Sequence, residues 1–344
     1  MVFVRASSFL VLSLLLSSCY VSKLAWHQGK LLNSRQKIAA LINKDDTPPS
    51  LRQQLELSQK ILAYAQRQGL AADNAYRYYV ELGRNDISYL VRASPFDRLE
   101  AKTWWFPLVG DVPYLGYFNE QERDVYAAEL AAQGLDIYKT TASAYSSLGW
   151  FDDPLYSTML NHDQAALASL LFHELTHRTL WLSGQAEFNE HLASFVEVYL
   201  TRQYLQELNL REELQSYEAG LADEALFAGW IKALEAELSV FYKEQKSEKR
   251  EQALFLAKKS AIFERFVTQE VPRFKRYKML GDGPWNNARV LASSTYLPDY
   301  QRFYASFRCS KATSIGSYLS ALREAWAKQG SDADPYTLLD QFCK

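Results

Sequence analysis

The pentapeptide His173-Glu174-Leu175-Thr176-His177 limits this chain more than any other feature. Two imidazoles at positions i and i+4 share a face on an α-helix, so both can reach one Zn²⁺ ion if this stretch is helical, with Glu174 beside it. The surroundings agree, because Ala165, Leu167, Leu170, Leu171 and Leu175 are good helix formers in an apolar setting. A catalytic four-coordinate zinc keeps one position open and needs a third protein ligand. The segment Phe188-Asn189-Glu190-His191-Leu192-Ala193-Ser194-Phe195-Val196-Glu197 offers two acids for that place. Glu190 would open a second helix packed antiparallel to the first, with Gly184 and Gln185 in the turn. Glu197 lies two turns further along on roughly the same face and is the rival ligand. His191 points about 100° away from Glu190 and is the weaker candidate.

The chain opens MVFVRASSFLVLSLLLSSC. Arg5 supplies a positive start, and the apolar run over 9–16 is far shorter than the ~20 residues a spanning helix needs. Residues 1–18 therefore read as a secretory signal peptide. The end of that stretch, Leu16-Ser17-Ser18-Cys19, resembles a bacterial lipobox, which implies acyl chains on the Cys19 sulfur and amine. Several chains matter, since each buried CH₂ contributes about 0.8 kcal/mol and one chain alone binds only marginally. Tyr20 stands where an inner-membrane retention signal would place Asp, so the expected location is the outer membrane, facing the periplasm. In that oxidising compartment the remaining pair, Cys309 and Cys343, is expected to form a disulfide. The alternative is two free thiols. No CxxC spacing suggests a Cys-ligated metal.

Composition excludes several classes. The chain has 344 residues, 48% of them hydrophobic and 23% charged, with formal net charge −2. That is ample material for a packed core, and the 14% aromatic share argues against disorder. A near-neutral balance does not fit a strongly basic nucleic-acid binder, so no nucleic acid is expected as a partner, and no protein partner can be named.

Along the chain, residues 23–43 are amphipathic, and Asp45-Asp46-Thr47-Pro48-Pro49-Ser50 is a strong break. Ser50 reads as the N-cap of a helix running to Gly69. Between about 86 and 158, aromatic and β-branched runs such as Thr103-Trp104-Trp105-Phe106 are punctuated by Pro and Gly, as strands are. One helix interrupts them, capped by Asn119 and closed by Gly134, and a strand over 135–140 follows. From Asp163 onward the pattern is helical, with a charged run over 243–251 that reads as a solvated face or a helix junction. The expected fold is α+β and predominantly helical, a zincin-like core with a small sheet before the HExxH helix. Its expected divisions are a signal peptide (1–18), a helical segment (19–85), an α+β segment (86–160) and a helical zinc-binding and C-terminal region (161–344).

The chain resembles a predicted zinc aminopeptidase family of bacterial lipoproteins, a gluzincin-like group. The resemblance rests on the lipobox cysteine and on Leu99-Glu100-Ala101-Lys102-Thr103-Trp104-Trp105-Phe106-Pro107. It continues through Gly116-Tyr117-Phe118, the run from Ala144 to Pro154, Ser157-Thr158-Met159-Leu160, the HELTH pentapeptide, Asn189-Glu190 and Asn286-Asn287-Ala288-Arg289. His191-Leu192 departs from it, standing where a small residue and Phe are expected. The Asn189-Glu190 pair matches the second motif of gluzincin peptidases, which favours Glu190 as third ligand beside His173 and His177, with one Zn²⁺ per chain. The resemblance implies amide hydrolysis of a peptide substrate, with Glu174 as the general base. Tyr145, Tyr296 and His162 are the candidate oxyanion donors. Asp152 and Asp153, after the aromatic Gly149-Trp150-Phe151 segment, are candidate partners for a substrate α-ammonium, or else a turn with a helix cap. Two other readings stand beside this one. The first is a non-catalytic envelope lipoprotein with a structural or vestigial metal site, which would have no use for Glu174. The second is a zinc amidase acting on cell-wall peptides.

Overall fold

The structure is a computed structural model. It describes residues 23, 26–27, 29–106, 110–142, 152–160, 162–245, 251–270, 283–295, 300–330 and 333–343. Cys19, Tyr145 and Tyr296 lie outside the described residues. The protein is α+β and mostly helical, with 64% helix and 11% strand. Among the described residues, no helix is long and apolar enough to cross a membrane.

Among the described residues the strands precede the HELTH helix and form three small sheets rather than one. The main sheet places β3 (Ser88–Pro95) between β6 (Leu115–Tyr117) and β7 (Leu135–Ala142), all antiparallel, with Ser88 opposite Ala142 and Pro95 opposite Leu135. A second sheet aligns β1 (Gln36–Lys37), β2 (Tyr78–Val80) and β8 (Leu155–Tyr156), and β4 (Trp104–Phe106) pairs antiparallel with β5 (Gly110–Val112). Pairing of Gln36 and Lys37 with Tyr79 and Tyr78 breaks the amphipathic stretch over 23–43: residues 29–33 before it are helical, and the short helix α1 (Ile38–Ile42) follows it. Helix α2 (Pro49–Arg67) begins one residue before Ser50, which therefore does not cap it. Pro48 holds the cap position without a side-chain bond, and Pro49 at the first helical position has its φ preset for a helix. Helix α3 (Glu120–Ala132) starts at Asn119, whose side chain accepts the Glu122 amide at 3.1 Å. It covers the main sheet by packing Ala127 and Leu130 against Val91, Ala93 and Leu115.

The helical part comprises α4 (Gln164–Thr179), α5 (Ala186–Glu207), α6 (Arg211–Gln245), α7 (Gln252–Glu270), α8 (Asn287–Ser294), α9 (Tyr300–Cys309), α10 (Ile315–Gln329) and α11 (Tyr336–Gln341). Helix α6 ends at Gln245 and α7 begins at Gln252, and residues 246–250 of the charged run lie outside the described residues. One large core joins α2, α4, α5, α9, α10 and α11 through Leu55, Ile61, Phe172, Phe195, Phe303, Leu319 and Leu338, all fully buried. Each such side chain contributes roughly 1.5–3 kcal/mol by leaving water. A second core lies among α6, α7 and α8, around Ile231, Leu238, Phe255 and Val290.

Two contacts fix how these layers meet. Gly69, with φ 85°, ends the turn after α2, and the Gly316 amide at the start of α10 donates to the Gln68 carbonyl at 2.8 Å. A Cβ on Gly316 would lie 2.6 Å from Gly69 Cα, backbone against backbone, so only glycine lets the two helices approach this closely. The Asn286-Asn287 pair is the other contact. Asn286 caps α8 and donates to the Ile137 carbonyl at 2.8 Å. The Asn287 side chain donates to the carbonyls of Pro95 and Arg98 and accepts from the Tyr242 hydroxyl at 2.6 Å, while its amide donates to Asp136. Lys259 of α7 also donates to Asp136, at 2.5 Å. This motif therefore ties the main sheet to the second helical core. At the C-terminus, Cys309 and Cys343 are joined in a disulfide, with Cα atoms 5.0 Å apart.

Candidate metal centre

Helix α4 starts cleanly because the Asp163 side chain accepts the Ala166 amide at 2.8 Å, and its Ala/Leu-rich body is buried nearly all round. A short turn leads to α5, which begins at Ala186, a full turn before Glu190. Asn189 holds that turn: its Oδ1 accepts from the Leu182 amide at 2.9 Å and its Nδ2 donates to the Leu182 carbonyl at 2.8 Å. From outside, Gly110 of β5 rests so closely on Gly184 that a Cβ there would meet the Gly184 nitrogen at 2.5 Å. Contacts pair Ser169 with Glu197 and His177 with Glu190, so the two helices run antiparallel.

Three ligand atoms converge between them. His177 Nε2 lies 3.2 Å from His173 Nε2, His173 Nε2 lies 3.3 Å from Glu190 Oε2, and His177 Nε2 lies 3.6 Å from that oxygen. A tetrahedral ion with Zn–N and Zn–O bonds of about 2.0–2.1 Å separates its ligand atoms by about 3.3 Å. The triangle therefore has the size a zinc ion requires. Its side chains are buried or nearly so, at 15%, 8% and 9% exposure for His173, His177 and Glu190. Among the described residues this is the group whose donor atoms could hold a metal.

Glu197 takes a different place. Its Oε2 lies 2.9 Å from Nδ1 of His173, the far side of the ring from the triangle. Its other oxygen accepts the Ser169 hydroxyl at 2.6 Å, and Ser169 in turn lies 3.3 Å from the Tyr217 hydroxyl. A carboxylate at Nδ1 calls for a proton there, which leaves the Nε2 lone pair pointing into the triangle. Ser169 precedes His173 by one helical turn and so shares its face, a spacing that the sequence reading did not single out. Tyr217 comes from α6, and no local pattern announces it. His191, next to Glu190, points elsewhere, with Nδ1 2.5 Å from the Tyr336 hydroxyl.

The electrostatics favour a cation. Burial works against charge on His173, but hydrogen bonds to Glu190 and Glu197 override it and hold its pKa well above the ordinary 6.5. Burial likewise opposes charge on Glu190, yet His177 and His173 hold its carboxyl well below the usual carboxylate range. Glu174 is not part of the triangle. Burial raises its carboxyl above the ordinary 4.5, the two imidazoles oppose that, and the Glu190 and Asp153 charges reinforce it. A pocket that holds a proton this firmly on His173 will accept a dication in its place.

The two candidate ammonium partners part ways here. The Asp152 side chain is 47% exposed and lies 3.9 Å from the Arg178 guanidinium. Asp153 is buried, its charge acts on Glu174, and its backbone carbonyl accepts the Tyr76 amide at 2.8 Å. Tyr76 itself escaped sequence analysis. It is 2% exposed, has a left-handed φ of 54° that is unusual for a bulky residue, and has its phenol pKa raised by burial and by the Glu174 and Asp153 charges. His162 sits just before α4, whose rise carries His173 roughly 14 Å along the axis from Gln164.

A family model described as "Putative aminopeptidase" matches residues 19–329. The chain belongs to that family. No curated protein and no solved structure matches the chain.

Proposed function

We propose that this family member is a zinc-dependent aminopeptidase held at the bacterial outer membrane, facing the periplasm, by acyl chains on Cys19. The observation that carries the metal reading is the His173–His177–Glu190 triangle, whose edges of 3.2, 3.3 and 3.6 Å suit one tetrahedral zinc with an open fourth position. Bound there, zinc would lower the pKa of water and polarise a peptide carbonyl. Glu174, next to His173 on the same helix and with its carboxyl pKa raised by burial, takes the proton from the attacking water and delivers it to the leaving amine. Glu197 keeps His173 in the tautomer that points Nε2 inward.

The exopeptidase part of the reading needs a carboxylate for the substrate's α-ammonium, close to the reacting bond. The burial of Asp153 and the reach of its charge to Glu174 support it in that role over exposed Asp152. The test compares one peptide with its N-acetylated twin. Acetylation is expected to lower kcat/KM by about 10²-fold or more, the scale of losing one partner of a buried charge pair. Asp153→Asn should weaken turnover of the free peptide and Asp152→Asn should not. Equal cleavage of both twins rejects the aminopeptidase reading and leaves an endopeptidase or a cell-wall amidase.

The anchor reading is supported by the start of the family match at Cys19, the residue that ends Leu16-Ser17-Ser18-Cys19. Growth with a labelled fatty acid should label the wild-type protein and leave Cys19→Ser unlabelled. A labelled Cys19→Ser protein rejects lipidation at that cysteine.

A further inference from the structure

The C-terminal helix meets α5 through Tyr336. Tyr336, the first residue of α11, brings its hydroxyl to 2.5 Å from His191 Nδ1. Its ring meets that of Phe188 edge-on, with centroids 5.2 Å apart. Phe188 and His191 flank Asn189 and Glu190, so a single tyrosine contacts α5 on both sides of the metal-ligand position. A helix of six residues has no stability of its own, and its place depends on its anchors. Arg302 of α9 supplies one, donating to Asp340 Oδ2 at 2.7 Å and to the Tyr336 carbonyl at 3.0 Å. Leu338 and Leu339 supply another in the large core. The covalent anchor is the Cys309–Cys343 bridge, which fastens the end of α11 to the end of α9. Both cysteines are exposed, within reach of an external thiol.

We propose that the Cys309–Cys343 bridge is a redox latch on the metal site: closed, it holds Tyr336 as a positioning residue on His191 and Phe188, and opened, it loosens Glu190. The proposal rests on the zinc reading above. The opening reaction is thiol–disulfide exchange with a dithiol reductant. One thiolate attacks a bridge sulfur, the Cys309–Cys343 bond breaks and a mixed disulfide forms. The reductant's second thiolate then displaces the protein sulfur. In balance, two electrons and two protons pass to the protein, giving two cysteine thiols and one oxidised dithiol.

The test measures zinc release to a chromophoric chelator from the whole mature protein. Four forms are compared: oxidised wild type, the Cys309→Ser/Cys343→Ser double variant, Tyr336→Phe, and the triple variant. Serines avoid both the reductant and new thiols that would themselves bind zinc. The double variant and Tyr336→Phe are each expected to release zinc about tenfold faster, the low end of what loss of a supporting partner costs a metal site. The triple variant should be no faster than either, because both changes cut the same connection. Wild type reduced with a dithiol, alkylated and desalted should match the double variant. Release at the wild-type rate from the double variant or from Tyr336→Phe overturns the latch, as does a triple variant whose effects multiply. Oxidised wild type that binds no zinc at all overturns the metal reading itself, a different result from zinc held with equal firmness in every form. Circular dichroism of each variant, unchanged at the assay temperature, separates loosening of the site from unfolding.

Discussion

Glu174→Gln is expected to lower kcat by about 10²–10⁴-fold, the usual contribution of a positioned general base, while bound metal stays near one per chain. The separation of the two readouts follows from the geometry. Glu174 supplies no atom to the triangle of His173, His177 and Glu190, so an isosteric amide leaves the metal's ligands in place. What the amide removes is the acceptor for a proton. The carboxyl is fit for that transfer because burial, reinforced by the Glu190 and Asp153 charges, raises its pKa, and a stronger base takes the proton from water at lower cost. Glu174→Asp retracts the carboxylate by one methylene and should fall between wild type and Gln. Turnover of a free-amine peptide, measured beside metal content on the same preparation, decides the matter. Turnover within a few-fold of wild type in Glu174→Gln removes Glu174 from the reaction. Loss of metal in that variant gives it a ligand role instead.

The sequence made some of this legible for reasons that are local. His173, Glu174 and His177 sit within one turn and a half of a helix, so their spacing alone puts them together. The cap at Asn119 and the strands at Trp104 and Leu135 are likewise short-range signals, and the structure has them where the residues indicate. The break at Gln36–Lys37 was not visible, because it depends on pairing with Tyr78 and Tyr79, some forty residues away. The fold class was legible in outline, but one small sheet became three, since strand partners are chosen by long-range register and not by the composition of each strand. In the site, the roles of Glu190 and Glu197 could not be divided by spacing. Both are on α5 and both approach His173, and only the placement of α5 against α4 shows that they meet opposite nitrogens of its ring. Tyr76, Tyr217 and Tyr336 come from three distant stretches of chain and carry no periodic signal. Asn189 and Asn287 read as parts of motifs, yet what each does is hold backbone: Asn189 the turn into α5, Asn287 the end of β3 and the chain just after it.

That division between the two glutamates sets the second large effect. Glu190→Ala is expected to weaken zinc binding by about 10²–10³-fold, since structural zinc sites gain roughly 10–16 kcal/mol in all, about 2.5–4 kcal/mol for each of four ligands. Glu197→Ala should weaken it by only about 10–100-fold, because the His173 nitrogen facing the metal remains and only its orientation and basicity suffer. Glu197→Gln keeps an oxygen able to accept from His173 Nδ1 and should recover part of that loss, whereas Glu190→Gln replaces an anionic ligand by a neutral one and should not. Ser169→Ala removes one hydrogen bond from the far end of the same chain and should cost least. Competition with a chelator of known affinity orders the variants. The order Glu190→Ala, then Glu197→Ala, then Ser169→Ala describes a metal bound at Nε2 with Glu197 behind the ring. A Glu197→Ala protein as poor in metal as Glu190→Ala would instead put the ion on the Nδ1 side of His173. The triangle with His177 would then lose its meaning, because His177 faces only the other nitrogen.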